Sequence, residues 1–227
     1  MRAIAADWYA PGAMMKSPVY DPDCTLCPRL AAYLAEGKRE HPGYFCRPVP
    51  PFGDPEARLL IVGLAPSFHG ANATGRPFTG DYAGILLYQT LSEFGLSTGP
   101  ESVSVDDGLQ LHDCRISNSL KCVPPGNKPL PVEIATCNRY LAAELAAVPD
   151  ATVLLALGTV AHGAVLRALG LKLSAHGFAH GAEHRLTRGL HLIDSYHCSR
   201  YNTNTRRLTT EMFRSVVERA AALARSG

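Results

Sequence analysis

The stretch LLIVGLAPSFHGANATGRPFTGD, residues 59–81, contains the features that decide the fold. It begins with an uninterrupted apolar run at 59–64, which is typical of a strand buried on both faces of a parallel sheet. A polar, glycine-rich segment follows at 64–81, and a helical pattern of apolar residues begins at Gly84 and extends to Phe94. A strand, a loop and a helix in this order predict one unit of an α/β protein.

The rest of the chain repeats this alternation. Further strands are predicted at 114–120, 152–158 and 191–196, and further helices at 131–147, 159–169 and 206–225. Strands that alternate with helices predict a three-layer α/β/α sandwich with a central, mostly parallel four-stranded sheet. One domain is expected over residues 1–227, in which residues 1–58 form an N-terminal extension without strand signals.

The composition is that of an ordinary globular protein, since 46% of the residues are hydrophobic and 19% are charged. The longest uncharged apolar stretch, residues 151–166, is shorter than the about 20 residues that a membrane-spanning helix needs. The first 15 residues contain no hydrophobic segment of signal-peptide type. We therefore expect a cytoplasmic protein with no membrane partner.

Basic residues are concentrated near the end of the chain. From Arg185 onward, eight arginines stand against three acidic residues, although the net charge of the whole chain is only +2. Arginine pairs well with phosphate, so this segment is compatible with a nucleic-acid backbone as partner. Solvated charges on helix faces are the alternative interpretation.

The polar segments of the chain follow the predicted strands. The segment 64–81 follows the first strand, Asn118 lies near the end of the second, and HCSRYNTNT (197–205) follows the fourth. In open α/β sheets, ligands bind outside the carboxyl ends of the strands. The sequence therefore predicts a ligand site at this edge of the sheet.

Seven cysteines make an odd count, which argues against a disulfide framework. Cys24 and Cys27 form a tight C-x2-C pair, while Cys122 and Cys137 flank a proline-rich stretch. Four thiolates would suit zinc or an iron–sulfur cluster, and the wide second pair favours a [4Fe–4S] cluster over a zinc ribbon. Scattered cysteines without a metal are the alternative.

The three loops and the four cysteines together resemble the uracil-DNA glycosylase superfamily. The similar segments are GLAPSFHGANATGRPFTGD (63–81), SNSLKCVPPGNKP (117–129) and SYHCSRYNTNTRRL (195–208), the last with its H-x-S-x-x-N pattern. Leu64 stands where the family 4 branch has an acidic residue, and Asp81 follows the TG pair, which is similar to the iron–sulfur family 5 branch. FAHGAEH (178–184) is similar to that branch as well.

The resemblance implies a monofunctional glycosylase that hydrolyses the N-glycosidic bond of uracil, and of hypoxanthine or xanthine, in DNA by base flipping. It implies a [4Fe–4S] cluster on Cys24, Cys27, Cys122 and Cys137. The implied catalytic residues are Asp81, Asn118 and His197. The implied substrate-binding residues are Gly63, Ala65, Pro66, Ser67, Phe78, Asn118 and His197. Asp81 equally suits the N-cap of the helix that follows it.

The terminal motif is expected to contact DNA through Ser199, Arg200, Tyr201, Asn202 and Arg206. The implied partner is double-stranded DNA with deaminated bases, with single-stranded DNA as a further substrate, bound by a monomer in the nucleoid. Ser67, Phe68, Ala73 and Cys198 depart from the family pattern. We expect the first three to reshape the pocket mouth and alter base preference, and Cys198 to loosen the terminal loop and place a thiol beside the chemistry.

Two alternatives belong to other functional classes. A damage-binding iron–sulfur protein without catalysis would follow if those departures disable the reaction. A small-molecule α/β hydrolase is disfavoured because the one G-x-S-x-G pattern, GLSTG (95–99), follows a predicted helix, whereas a nucleophile elbow follows a strand. The run His176, His180 and His184 has metal-like spacing, but its glycines disfavour a helix, so we expect a loop near DNA there without a bound metal.

Overall fold

The computed structural model describes residues 19–226. Residues 1–18 and Gly227, which belong to the predicted domain and in part to its N-terminal extension, lie outside the described residues. The strands are β1 (Phe52–Gly53), β2 (Leu59–Gly63), β3 (Cys114–Asn118), β4 (Val153–Leu157), β5 (Glu183–Arg185) and β6 (His191–Ser195). The helices are α1 (Pro28–Glu40), α2 (Ala71–Thr74), α3 (Tyr82–Glu93), α4 (Pro131–Ala147), α5 (Thr159–Ala168), α6 (Arg200–Asn204) and α7 (Thr210–Ser226).

The strands form one sheet in the order β1-β3-β2-β4-β6-β5. The four predicted strands are present as the parallel centre of this sheet, in the order β3-β2-β4-β6. The predicted number of strands was wrong, because β1 and β5 add an antiparallel strand at each edge. These edge strands have only two and three residues, too few for a periodic pattern to appear in the sequence.

Alternate residues of the central strands enter two separate cores, which confirms the three-layer prediction. On β2, Leu59 and Ile61 face a core shared with α3 and α7. Leu60 and Val62 face the opposite core, which contains side chains of α4 and α5. Because both faces are covered, every residue of β2 is buried, and this explains its continuous apolar sequence.

Two parts of the chain differ from the helices expected from sequence. Helix α1, which begins at Pro28, lies in the extension for which no element was predicted. The last predicted helix, 206–225, is wrong at its start, because Arg206 has a left-handed φ of 56° that separates α6 from α7. Among the described helices, none has the length and apolarity needed to cross a bilayer.

Candidate active site

A cavity of about 550 Å³ opens where the four parallel strands end. Its walls come from the segments after β2, β3, β4 and β6. Six residues expected to bind the substrate or act on it line this cavity, namely Ala65, Ser67, Phe78, Asp81, Asn118 and His197. Gly63 and Pro66 are buried beside the cavity and do not line it.

Gly63 ends β2 at a point of close approach. A Cβ atom at this position would overlap Oδ1 of Asn118 and would lie 2.7 Å from Cζ of Phe78. Only glycine therefore lets both side chains reach their observed positions at the floor of the cavity.

Phe78 occupies a backbone conformation that is rare for its residue type, with φ of 56°. The neighbouring residues hold this turn in place. A Cβ atom on Gly84 would overlap the carbonyl oxygen of Phe78, and the hydroxyl of Tyr88 donates to the carbonyl oxygen of Pro77 at 2.8 Å. The Phe78 ring consequently stacks against the His197 ring, with centroids 5.9 Å apart and planes inclined by 27°.

A buried arginine that sequence reasoning missed holds the same loop from behind. Arg76 is only 4% exposed, and its guanidinium donates to the Thr79 hydroxyl at 2.9 Å and forms a bidentate ion pair with Asp107. The Ser102 hydroxyl accepts a further hydrogen bond from it at 2.6 Å. No local pattern links Arg76 to residues about 30 positions later, so only the folded chain shows this contact.

The two carboxylate oxygens of Asp81 make different hydrogen bonds. Its Oδ1 accepts from the backbone N–H of Gly84 at 2.9 Å, which caps α3, and its Oδ2 accepts from the Ser67 hydroxyl at 3.1 Å. Burial raises the pKa of this carboxyl, although the hydrogen bonds from Gly84 and Ser67 oppose the shift. Asp81 therefore caps helix α3 and lines the cavity at the same time.

Asn118 ends β3 with its side chain at the cavity, and its side chain is almost fully buried. Its Oδ1 has no hydrogen-bond partner within residues 19–226. A buried carbonyl oxygen without a donor costs about 1–3 kcal/mol, so a ligand N–H placed beside it would be bound favourably.

His197 lies just after β6 on the cavity wall. The residue is partly buried in the cavity wall, and this burial lowers the pKa of His197 to about 4. The imidazole is therefore neutral at physiological pH and carries one N–H donor. The amide of Asn202 donates to the His197 carbonyl oxygen at 2.8 Å and fixes the loop.

The terminal loop forms the cavity rim. Four of the five residues expected to contact DNA line it, namely Ser199, Arg200, Tyr201 and Asn202. Tyr201 is 72% exposed, and the Arg200 guanidinium lies over the Tyr82 ring at 4.8 Å. Arg206 is exposed and does not line the cavity, whereas its neighbour Arg207 does, with its guanidinium 4.6 Å from the centre of the Tyr196 ring.

The four cysteines of the spacing pattern come together away from this cavity. They are Cys24, Cys27, Cys122 and Cys137, and they line one small internal cavity between α1 and the start of α4. The backbone N–H of Lys121 donates to the sulfur of Cys137 at 3.3 Å. Burial raises the pKa of Cys27 and Cys137, and the nearby thiols raise the pKa of Cys27 further, so a group of positive charge would stabilise their thiolates.

Three of the departures from the family pattern do not lie where we expected, and the first of them, Ala73, does not line the cavity. Phe68 does not line the cavity, because its ring packs on Tyr33 of α1, with centroids 5.4 Å apart. The thiol of Cys198 is fully buried in the core with α3 and α7, and burial raises its pKa. Of these departures, only Ser67 lies on the cavity wall.

A comparison of the chain with known protein families identifies the class of protein to which this fold and cavity belong. Residues 50–221 match the family model described as the uracil DNA glycosylase superfamily, and the chain belongs to that superfamily.

The relatives narrow the assignment within it. A type-5 uracil-DNA glycosylase of Thermus thermophilus is 51% identical over 206 residues, which cover 88% of this chain and 94% of the relative. A type-5 uracil-DNA glycosylase of Pyrobaculum aerophilum is 45% identical, with 88% of each chain covered. A type-4 uracil-DNA glycosylase of Thermotoga maritima is 36% identical over 48% of this chain. Within the superfamily, the chain therefore belongs to the type-5 branch.

Proposed function

We propose that this protein is a monofunctional DNA glycosylase that removes uracil, and also hypoxanthine and xanthine, from DNA as the first step of base excision repair. The observation that carries the proposal is the unpaired Oδ1 of Asn118, which lies in the same cavity as the stacked rings of Phe78 and His197. An imide N–H of uracil is the kind of donor that this oxygen lacks.

The base is bound first through its face and its edge. The Phe78 ring stacks on the flipped base, a contact worth about 1–3 kcal/mol for any base. Asn118 then accepts from the base N–H, which distinguishes uracil from cytosine, because the corresponding ring nitrogen of cytosine carries no hydrogen. Flipping the nucleotide costs a few kcal/mol, and these contacts offset that cost.

The N-glycosidic bond is then broken, and charge develops on the leaving base and on the sugar. The base leaves as an anion, and the neutral His197 ring donates its N–H to a carbonyl oxygen of that base. The sugar gains oxocarbenium character, which the Asp81 carboxylate stabilises while it orients the attacking water. Ser67 positions the carboxylate through its hydrogen bond to Oδ2.

No lyase step is expected, because a Schiff base needs a lysine at the reacting sugar. The central motif contains Lys121, but its ammonium group is buried against Ser117 and lies 3.5 Å from a carboxylate oxygen of Glu144. No lysine of the described chain lines the cavity. The product is therefore an abasic site in an uncut strand.

DNA is held by the rim of the cavity. The exposed Tyr201 ring has the position and character of a residue that fills the gap left by the flipped nucleotide. Arg200 and Arg207 at the same rim supply positive charge for the flanking phosphates.

The four cysteines would hold a [4Fe–4S] cluster, which supplies a structural cross-link between the N-terminal extension and the segment 122–137. A tetrahedral zinc ion bound by four cysteines holds their sulfur atoms about 3.8 Å from one another, because each Zn–S bond is about 2.3 Å long. Among the described residues, the only side chains gathered closely enough to share one metal ion are His162, His184 and Asp194. Four sulfurs spread around a cavity suit a larger cluster better than one ion.

The test is incubation of the purified protein with duplexes that contain uracil, hypoxanthine or xanthine, followed by hot alkali. We expect strand breaks only after alkali, and a loss of at least 10²-fold in rate for Asn118→Ala and Asp81→Asn. Breaks without alkali would contradict the absence of a lyase step. Binding of the duplexes without base release would favour the non-catalytic damage-binding alternative.

A further inference from the structure

A buried carboxylate beside the cavity has no part in the mechanism above. Asp194, on β6 and three residues before His197, is fully buried. Its Oδ1 lies 2.8 Å from Nδ1 of His162 on α5, and its Oδ2 lies 3.3 Å from Nε2 of His184 on β5. Three elements, β6, α5 and β5, therefore meet at one carboxylate.

The contacts of His162 determine where its protons lie. Its Nε2 is 2.9 Å from the carbonyl oxygen of His176, and because a carbonyl only accepts, Nε2 carries a proton. A second proton must lie between Nδ1 and Oδ1 of Asp194, since two lone pairs would repel at 2.8 Å. His162 thus connects β6 to the segment 176–182 through two hydrogen bonds, and the one to Asp194 is fully buried and therefore strengthened by the exclusion of water.

That segment carries a wall of the cavity. Phe178 lines the cavity and packs edge-on against the His162 ring, with centroids 5.6 Å apart and planes at 79°. Residues 176–182 form neither a helix nor a strand, so their position depends on ties to neighbouring elements. Besides His162, three backbone N–H groups tie the segment to β6 and the residue after it. Gly181 donates to the Asp194 carbonyl oxygen, Asp194 donates to the Ala182 carbonyl oxygen, and Tyr196 donates to Nδ1 of His180.

We propose that Phe178 limits the size of the base that the cavity accepts, and that His162 is the positioning residue that holds Phe178 there. This inference rests on the proposed glycosylase function, which it deepens by naming the residues that set base preference. With the wall in place, uracil is preferred over the two-ring bases that the protein also accepts, whereas a wall that is removed or loosened raises the rate on hypoxanthine relative to uracil.

Two variants test the two roles. Phe178→Ala removes the wall, and we expect kcat/KM on uracil duplex to fall about 10-fold, mainly through KM, while the rate on hypoxanthine holds or rises. His162→Gln keeps an amide near the position of Nε2 but removes the imidazole from Oδ1 of Asp194, and we expect the same change in base ranking. Because His162 acts through Phe178, the double variant should rank the bases as Phe178→Ala alone does.

Amide hydrogen exchange of residues 177–182 gives a readout that does not depend on activity. We expect exchange at least 10-fold faster in His162→Gln than in the wild-type protein. His191→Gln is the matched control, because His191 pairs with Glu183 at 3.1 Å and does not contact Asp194 or Phe178. That variant should retain wild-type exchange in the segment and wild-type base ranking.

An unchanged base ranking in Phe178→Ala would overturn the role of Phe178. Independent, multiplicative effects of the two substitutions, or unchanged exchange in His162→Gln, would overturn the positioning role of His162. If the wild-type protein releases no base at all, the glycosylase function fails by itself. The preference is then measured as binding of free uracil and hypoxanthine to wild type and Phe178→Ala, and equal ratios in the two proteins would overturn the inference.

Discussion

Substitution of Gly63 by alanine is a sharp test of the active-site geometry, because it adds one methyl group at the floor of the cavity. The new Cβ would overlap Oδ1 of Asn118 and lie 2.7 Å from Cζ and 2.9 Å from Cε2 of Phe78. Carbon atoms pack best at about 3.5–4.0 Å, so the Phe78 ring must move by about 1 Å, or Asn118 must turn away.

The expected cost follows from that displacement. A misplacement of about 1 Å in a catalytic group reduces the rate about 10²-fold, so kcat/KM on uracil duplex should fall by about that factor. Overpacking at a buried site costs about 1–3 kcal/mol of unfolding free energy. For a domain of this size, each kcal/mol lowers Tm by about 2–4 °C, so the variant should remain folded at 25 °C.

The assay is single-turnover base release at 25 °C, together with thermal unfolding followed by circular dichroism. Gly43→Ala is the matched control, since a Cβ at Gly43 meets no atom within 4 Å, and this variant should behave as wild type. A folded Gly63→Ala protein that keeps a third or more of the wild-type rate would refute the reasoning, because the positions of Asn118 and Phe78 would then not limit the reaction.

Three further predictions concern pH, the cysteines and the rim. The pKa of His197 in the folded protein is about 4, below its value in the unfolded chain, so the free energy of unfolding should fall as the pH drops from about 6.5 to 4 and should level off below pH 4. Urea titrations of His197→Asn should no longer show this fall in unfolding free energy. Because burial raises the pKa of Asp81, protonation of its carboxyl should lower kcat at a pH above the ordinary value for an aspartate; an acid limb that persists unchanged in Asp81→Asn would contradict this assignment. Cys137→Ser should lose the cluster's absorbance near 400 nm and its bound iron. Cys114→Ser, which changes a thiol buried elsewhere, in β3, should keep both. Zinc in place of iron in the wild-type protein would argue against the cluster. Arg207→Ala should weaken binding of any duplex and reduce the slope of log K against log salt by about 0.9, and an unchanged slope would place Arg207 away from phosphate.

The local sequence predicted most of the fold and several residues of the cavity. Apolar runs such as 59–64 fix the central strands, because a strand covered on both faces must be apolar throughout. The loops after these strands predicted where Ser67, Asp81 and His197 would meet, since the carboxyl ends of parallel strands share one edge of the sheet.

Other contacts depend on residues far apart in the chain, and the sequence carries no local signal for them. Arg76 meets Asp107, His162 meets Asp194, and Phe68 turns away from the cavity toward Tyr33. Each of these contacts forms only when separate elements pack together, so periodicity and motif spacing cannot report it. The sequence thus determined the layers, the edge at which the site lies and its likeness to a family, whereas tertiary packing decided which side chains face the cavity and which hold them there.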